Sequence, residues 1–268
     1  MEPEAAAPPA ERTQFRSLDH ALGVLCALAE KEDLGISELA RRLRLHKSGV
    51  HRVLRALSAW GFVEQLPNRR YSLGLKVLEL GNIYRLRLDL TRKAGPILKQ
   101  LSLRTNANAH LARLDQGEVL DLLRIEYPAP LRVMRAPILR RPAHCTALGK
   151  ALLAHGPADR VTQVIAAGLA RMTPRTITQP DRFLNELARV REAGYAVDNE
   201  EFYSGMRCIA APVFNEQSDA VAAISISALI THLTTDRIQP FAQMVVEAAR
   251  ELSSHLGHPV SGTGYATP

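Results

Sequence analysis

The sequence predicts an α+β protein in two parts. Residues 15–73 form a winged helix-turn-helix, residues 74–92 a linker helix, and residues 93–257 a second domain on a mainly antiparallel sheet. Three observations carry this. Residues 36–57, ISELARRLRLHKSGVHRVLRAL, contain two short helical patterns joined by a tight break. Residues 35–76 hold nine Lys/Arg and two acids, a net of +7, which equals the net charge of the whole 268-residue chain. Beyond them, stretches that alternate apolar and polar residues are interspersed with helical patterns.

Taken in order, Leu18, Ala21, Leu22, Leu25 and Leu28 share one face of a first helix that ends before Leu34-Gly35. Ser37 is placed to cap the second helix, with Leu39, Ala40 and Leu43 facing inward. The third runs from about Lys47 to Trp60 and stops at Gly61. On it, Val50, Val53, Leu54 and Leu57 fall on one face and Lys47, Ser48, His51, Arg52, Arg55 and Ser58 on the other. The apolar face can pack, and the polar one can meet phosphates and base edges. Phe62-Val63 and residues 71–73 read as two short strands of a hairpin with Arg69 and Arg70 at its tip. The Leu-rich stretch from Leu75 to Leu90 forms the linker helix, and its broad apolar side calls for a partner, such as a second copy of the chain.

In the second domain a helix is expected over residues 93–105. Strands follow over 108–114 and 119–125, turning at Asp115-Gln116-Gly117-Glu118, with a third over 131–135. A polar, Pro-containing loop leads to a short helix, HCTALGKALLA. Helices over 158–167 and 180–193 come next, then strands over 195–199, 208–214 and 221–227, and a last helix over 235–255. The termini, Pro/Ala-rich before residue 15 and Ser/Gly/Thr-rich from Pro259, read as disordered tails.

Composition narrows the function. No apolar run approaches the ~20 residues of a membrane span, and the acidic N-terminus lacks the pattern of a signal peptide, so a cytoplasmic protein without membrane association is expected. Cys26, Cys145 and Cys208 are odd in number and widely spaced, which gives no disulfide framework; the adjacent His144-Cys145 pair is a weak metal signal. A strong positive charge confined to one segment suits a polyanion. Lys47, Arg52, Arg55, Arg69 and Arg70 can reach phosphates, and Ser48 and His51 lie near the helix start, where base edges are met first. An enzyme is the competing class, with Cys208, Cys145 or Lys150 as nucleophile and His144 as base. No nucleophile elbow, phosphate-binding glycine loop, metal motif or cofactor signature accompanies them.

Across residues 15–257 the chain resembles the IclR family of bacterial transcriptional regulators. The resemblance rests on RSLDHALGVL, ISELARRL…KSGVHRVLRAL, GFVEQ…RYSLGLKVLELG, PAHCTALGKALLA, GYAVDNEEFYSGMRCIAAPVFN and AAISISA, in that order. It implies a double-stranded DNA operator as partner and a GAF-like effector-binding domain joined through the linker helix. It also implies a homodimer or homotetramer responsive to a small organic molecule, without a cofactor. His46 and Gly49 stand where the family often has Pro and Thr or Ala, which bears on the operator sequence rather than on DNA binding. Gln217-Ser218-Asp219 and Ala228 stand where glycines are common, at the rim of the expected pocket. Carried over residue by residue, the effector site would comprise Thr146, Ala147 and Leu148 at a helix start, Asp198, and Cys208, Ser225 and Ser227 on strands. Ser225 and Ser227, two apart, face the same side. The alternative to an effector sensor is a DNA-binding protein whose second domain only oligomerises, with the two serines bonded inside a closed core.

Overall fold

The computed structural model describes residues 16–87, 89–128 and 140–259. The chain divides into two compact units between Arg87 and Leu88. The first contains α1 (Arg16–Glu30), α2 (Ile36–Leu43), α3 (Lys47–Ala59), β1 (Val63–Gln65), β2 (Tyr71–Leu73) and α4 (Leu75–Arg87). Its core gathers Val24 and Leu28 of α1, Leu39 of α2, Val50 and Leu54 of α3, and Val63 and Tyr71 of the hairpin. The expected apolar face of α3 is therefore the face that packs. Arg44, in the left-handed region at φ 53°, ends α2 and makes the tight break. Leu34 pairs with Tyr71 through two backbone hydrogen bonds of 3.0 and 2.9 Å, so the segment before α2 adds a third rung beside the wing.

One local expectation changes here. The cap of α2 comes from Glu38 instead of Ser37: the helix starts at Ile36, and the Glu38 carboxylate reaches back to accept the Gly35 N–H at 3.0 Å. An acid one turn inside the helix also suits the positive end of its dipole. Gly74 lets the wing return to the end of α3, because a Cβ there would lie 2.3 Å from the Gly61 carbonyl oxygen. Along α4, Leu75, Leu78, Leu80 and Ile83 stay exposed.

The second unit opens with α5 (Asp89–Thr105), which begins four residues before the expected start. Asp89 forms ion pairs with Arg92 and Lys93 at 2.5 and 2.7 Å, one turn on, and so supports an extra turn ahead of Pro96. Then come β3 (Asn108–Asp115), β4 (Glu118–Ile125), β5 (Arg140–Pro142), a single 3₁₀ turn, α6 (Ala147–His155), α7 (Ala158–Ala167) and α8 (Pro180–Ala193). β6 (Ala196–Asn199), β7 (Met206–Phe214), β8 (Ala220–Leu229) and α9 (Ile238–His255) complete it. The strand expected at residues 131–135 lies outside the described residues. A strand is found instead at β5, where a loop was expected; it pairs with residues 118–120 of β4 at the sheet edge, where Pro142 is tolerated.

Among the described residues the sheet has the order β5-β4-β3-β8-β7-β6, and every pairing is antiparallel. Period-two alternation sends Leu111, Ile209, Ile224 and Ile226 to one face, against Leu98 and Leu101 of α5 and Val245 and Leu252 of α9. Ala112, Ala210 and Ala223 face the other side, against Ala147 and Leu153 of α6 and Phe183 of α8. The second face carries the polar residues of the sheet.

Candidate functional site

In the first unit, Lys47, Ser48, His51, Arg52 and Arg55 are all exposed on α3, and Arg69 is exposed at the wing tip. None of the four cations among them forms an ion pair among the described residues. His51 and Arg55 border a cleft that continues onto Glu64 and Gln65 of β1. Arg70 departs from the expectation that placed it on this face. Its Nε donates to Asp33 at 2.6 Å and its Nη2 to Glu38 at 2.7 Å and to the Asp33 carbonyl at 3.2 Å. The hydrogen bond with Arg70 holds Asp33 below the usual carboxylate range. Arg70 is thus a strut between the wing and α2, with its Nε and Nη2 donors engaged.

In the second unit, residues from four stretches of sequence converge on one cavity of about 190 Å³. Its floor is a row of cross-strand neighbours: Asp198 on β6 faces Cys208 on β7, Cys208 faces Ser227 on β8, and Ser227 faces Asn108 on β3. The next row pairs Ser225 with His110. The start of α6 closes the cavity with Thr146, Ala147 and Leu148. Thr146 caps that helix: its hydroxyl oxygen accepts the Gly149 N–H at 3.2 Å and its O–H donates to the Pro142 carbonyl at 3.3 Å. Gly149 has no room for a side chain, since a Cβ would lie 2.2 Å from the Ala143 carbonyl oxygen.

Asp198 is 3% exposed. Its Oδ1 accepts the backbone N–H of Glu201 at 2.7 Å and of Phe202 at 3.4 Å. Burial, with the nearby Glu201 carboxylate, pushes its pKa up to about 7. Behind it lies Lys150, fully buried, whose Nζ donates to Glu201 and the Val197 carbonyl, both at 2.6 Å, and to Glu186 at 2.9 Å. Burial acts to lower the pKa of this lysine, and the two carboxylates outweigh it and hold the ammonium charged. Burial pushes the Cys208 thiol well above its ordinary value and the Cys145 thiol up to about 12. Both are thiols at neutral pH, the wrong state for a nucleophile. His144 bonds its Nε2 to the Ala170 carbonyl at 2.9 Å. Among the described residues no group of three His, Cys, Asp or Glu side chains is arranged to hold a metal ion.

Residues 17–67 match the family model "IclR helix-turn-helix domain", and residues 84–254 match "Bacterial transcriptional regulator IclR C-terminal". The chain belongs to the IclR family. Its relatives include the HTH-type transcriptional regulator KdgR of Escherichia coli (strain K12), 37% identical over 88% of this chain and 90% of that protein. The transcriptional repressor IclR of the same strain is 33% identical over 91% of each. Among solved structures, an IclR homologue from Microbacterium hydrocarbonoxydans complexed with 4-hydroxybenzoate aligns with a TM-score of 0.78 and 26% identity. That alignment covers 90% of this chain and 98% of the other.

In this IclR-family regulator, Thr146, Ala147, Leu148, Asp198, Cys208, Ser225 and Ser227 therefore all line one cavity. Sequence reasoning missed further polar residues around it, among them Asn108, His110, Asp121, Arg124 and Arg141. His110 was within reach, because Asn108 and His110 alternate with Ala109 and Leu111 on a strand already assigned. The arginines were not, since their meeting depends on strand pairing between β3, β4 and β5. No helix among the described residues is long and apolar enough to cross a membrane.

Proposed function

We propose that this transcriptional regulator binds its operator through the exposed face of α3 and the tip of the wing, and that the cavity of the second unit holds its effector. Lys47, Ser48, His51, Arg52, Arg55 and Arg69 make the DNA contacts, while Arg70 braces the wing. The effector is a small organic molecule, an organic acid or a related catabolite, and its binding changes DNA affinity. The protein acts in the cytoplasm as a homodimer or homotetramer. The exposed leucines of α4 support self-association, since a helix that leaves Leu75, Leu78, Leu80 and Ile83 in water gains by covering them. The presence of 4-hydroxybenzoate in a homologous structure supports a ligand-binding second domain.

The observation that carries the reading is the convergence on one cavity of seven residues drawn from separate stretches of sequence. A ligand there must prefer one arrangement of the protein over another if it is to alter DNA binding. Thermal-shift screening of a catabolite library identifies the ligand, because a ligand that binds only the folded state raises stability. Ser225→Ala and Ser227→Ala should then each weaken it at least tenfold, given ~1.5–3 kcal/mol for a hydrogen bond to a charged group. Both variants should bind operator DNA normally without ligand. If instead they lose thermal stability and keep full ligand affinity, the serines serve the core and the cavity is not the ligand site; if no compound shifts the melting temperature, the second domain is an oligomerising one.

A further inference from the structure

The cavity is electrically polarised. At one end lie Asp198 and, behind it, Glu201, 3% and 6% exposed. At the other, across the sheet on β4 and β5, lie Arg124 and Arg141. From β4 to β6 the sheet order takes four steps, ~19 Å between strand axes at the usual interstrand spacing. Both ends nevertheless line the one cavity.

The arginine end holds unused donors. Arg141 pairs through Nη2 with Asp121, and Arg124 through Nη2 with Glu126 at 3.2 Å. The Nε atoms of both are buried and have no hydrogen-bond partner among the described residues. A buried guanidinium N–H left unpaired is costly, and its natural partner is a planar oxyanion. The one carboxylate lining this end, Asp121, already faces two groups: Arg141, and His110, whose Nδ1 is 3.5 Å away. Arg124 pairs with Glu126 outside the cavity wall, which leaves its buried Nε for a ligand. At the far end a second carboxylate would meet the buried Asp198, and would find no free cation, since Lys150 is engaged by Glu201, Glu186 and the Val197 carbonyl.

The floor between the two ends is built for hydroxyls. His110 Nε2 lies 3.0 Å from Ser227 Oγ. In the tautomer with its proton on Nδ1, 3.5 Å from Asp121, Nε2 accepts from the Ser227 hydroxyl, and the serine oxygen is left to accept from a ligand. Burial lowers the His110 pKa and keeps the ring neutral for this role. A cavity of about 190 Å³ holds on the order of ten non-hydrogen atoms.

We propose that Arg124 and Arg141 form a carboxylate subsite in this cavity, and that the ligand is a compact aliphatic hydroxy acid with its carboxylate on the arginines and its hydroxyls toward Ser227 and Asp198. This rests on the proposal that the cavity is the effector site. It orients the acid away from the start of α6.

The test is calorimetric titration of the full-length protein with four- to six-carbon aldonic acids, D-gluconate among them, each beside its uncharged polyol, such as D-sorbitol. An acid from the set should bind, its polyol should bind at least tenfold more weakly, and Arg124→Gln should remove that preference. Arg141→Lys keeps the charge opposite Asp121 but loses the planar fork, and should weaken the acid as well. The melting temperature of each unliganded variant reports whether it folds. The subsite is overturned if no acid binds, if acid and polyol bind alike, or if both arginine variants keep the acid's affinity. The two proposals fail differently. Binding of a neutral or aromatic probe that Ser227→Ala weakens would overturn the hydroxy-acid subsite and leave the cavity as effector site. Binding that survives Ser225→Ala and Ser227→Ala alike would overturn both.

Discussion

Asp198 is the residue through which pH acts on the cavity. Its carboxyl is buried beside Glu201 and titrates at about 7, against 3.8 for an ordinary aspartate. The folded chain therefore holds a proton that the unfolded chain releases, so this group makes stability fall as pH rises from about 4 to about 7. Above that window its contribution is level again. Asp198→Asn keeps an oxygen to accept the Glu201 and Phe202 N–H groups but carries no charge. The variant should melt higher than the parent at pH 8, and the difference should shrink toward pH 5. Melting curves across that range check it, and parallel curves would mean that Asp198 is paired and ionised throughout. Arg70 gives the complementary case at this scale. The sequence shows a cation at a hairpin tip, while its partners Asp33 and Glu38 lie more than thirty residues earlier and come together only in the folded unit.

Elements differ in how much of them the sequence discloses. The alternation in β3, β4, β7 and β8 and the gaps at Gly61 and Gly194 are local signals, and the observed elements follow them closely. Helix starts are less visible because capping groups compete: Ser37 has the right chemistry, and Glu38 wins by bonding the Gly35 N–H from inside the helix. β5 is three residues long, too short for a period to register, and exists because β4 offers it an edge. The proposed effector residues were legible through resemblance, and the arginine end was not: Arg141 enters through the pairing of β5 with β4, and a register shift between Leu111 and Ala112 adjusts β4 against β3. The seat of α6 depends on Gly149. Gly149→Ala would push a methyl group into the Ala143 backbone and part the helix from the turn before it. Overpacking of this kind costs ~1–3 kcal/mol. The variant should melt at a lower temperature and bind effector less well, and an unchanged melting temperature would show that this junction is slack.

At the scale of the whole molecule, charge and shape divide the work. The excess of +7 sits in residues 35–76, on the unit that carries α3 and the wing, and the rest of the chain is balanced. The second unit uses its charges internally, most plainly where buried Lys150 pairs with Glu186 and Glu201, and Arg189 with Glu186. DNA affinity should accordingly be electrostatic in large part and should reside in the first unit. The most direct check is the affinity of the full-length protein for its own upstream DNA over a series of salt concentrations, for the parent, Arg52→Ala and Arg55→Ala. Each lost phosphate contact should weaken binding and reduce the slope of log K against log salt by ~1. Both variants should melt as the parent does, because both side chains are exposed. Parent-like affinity and slope in both variants would contradict the assignment of α3 as the helix that meets DNA.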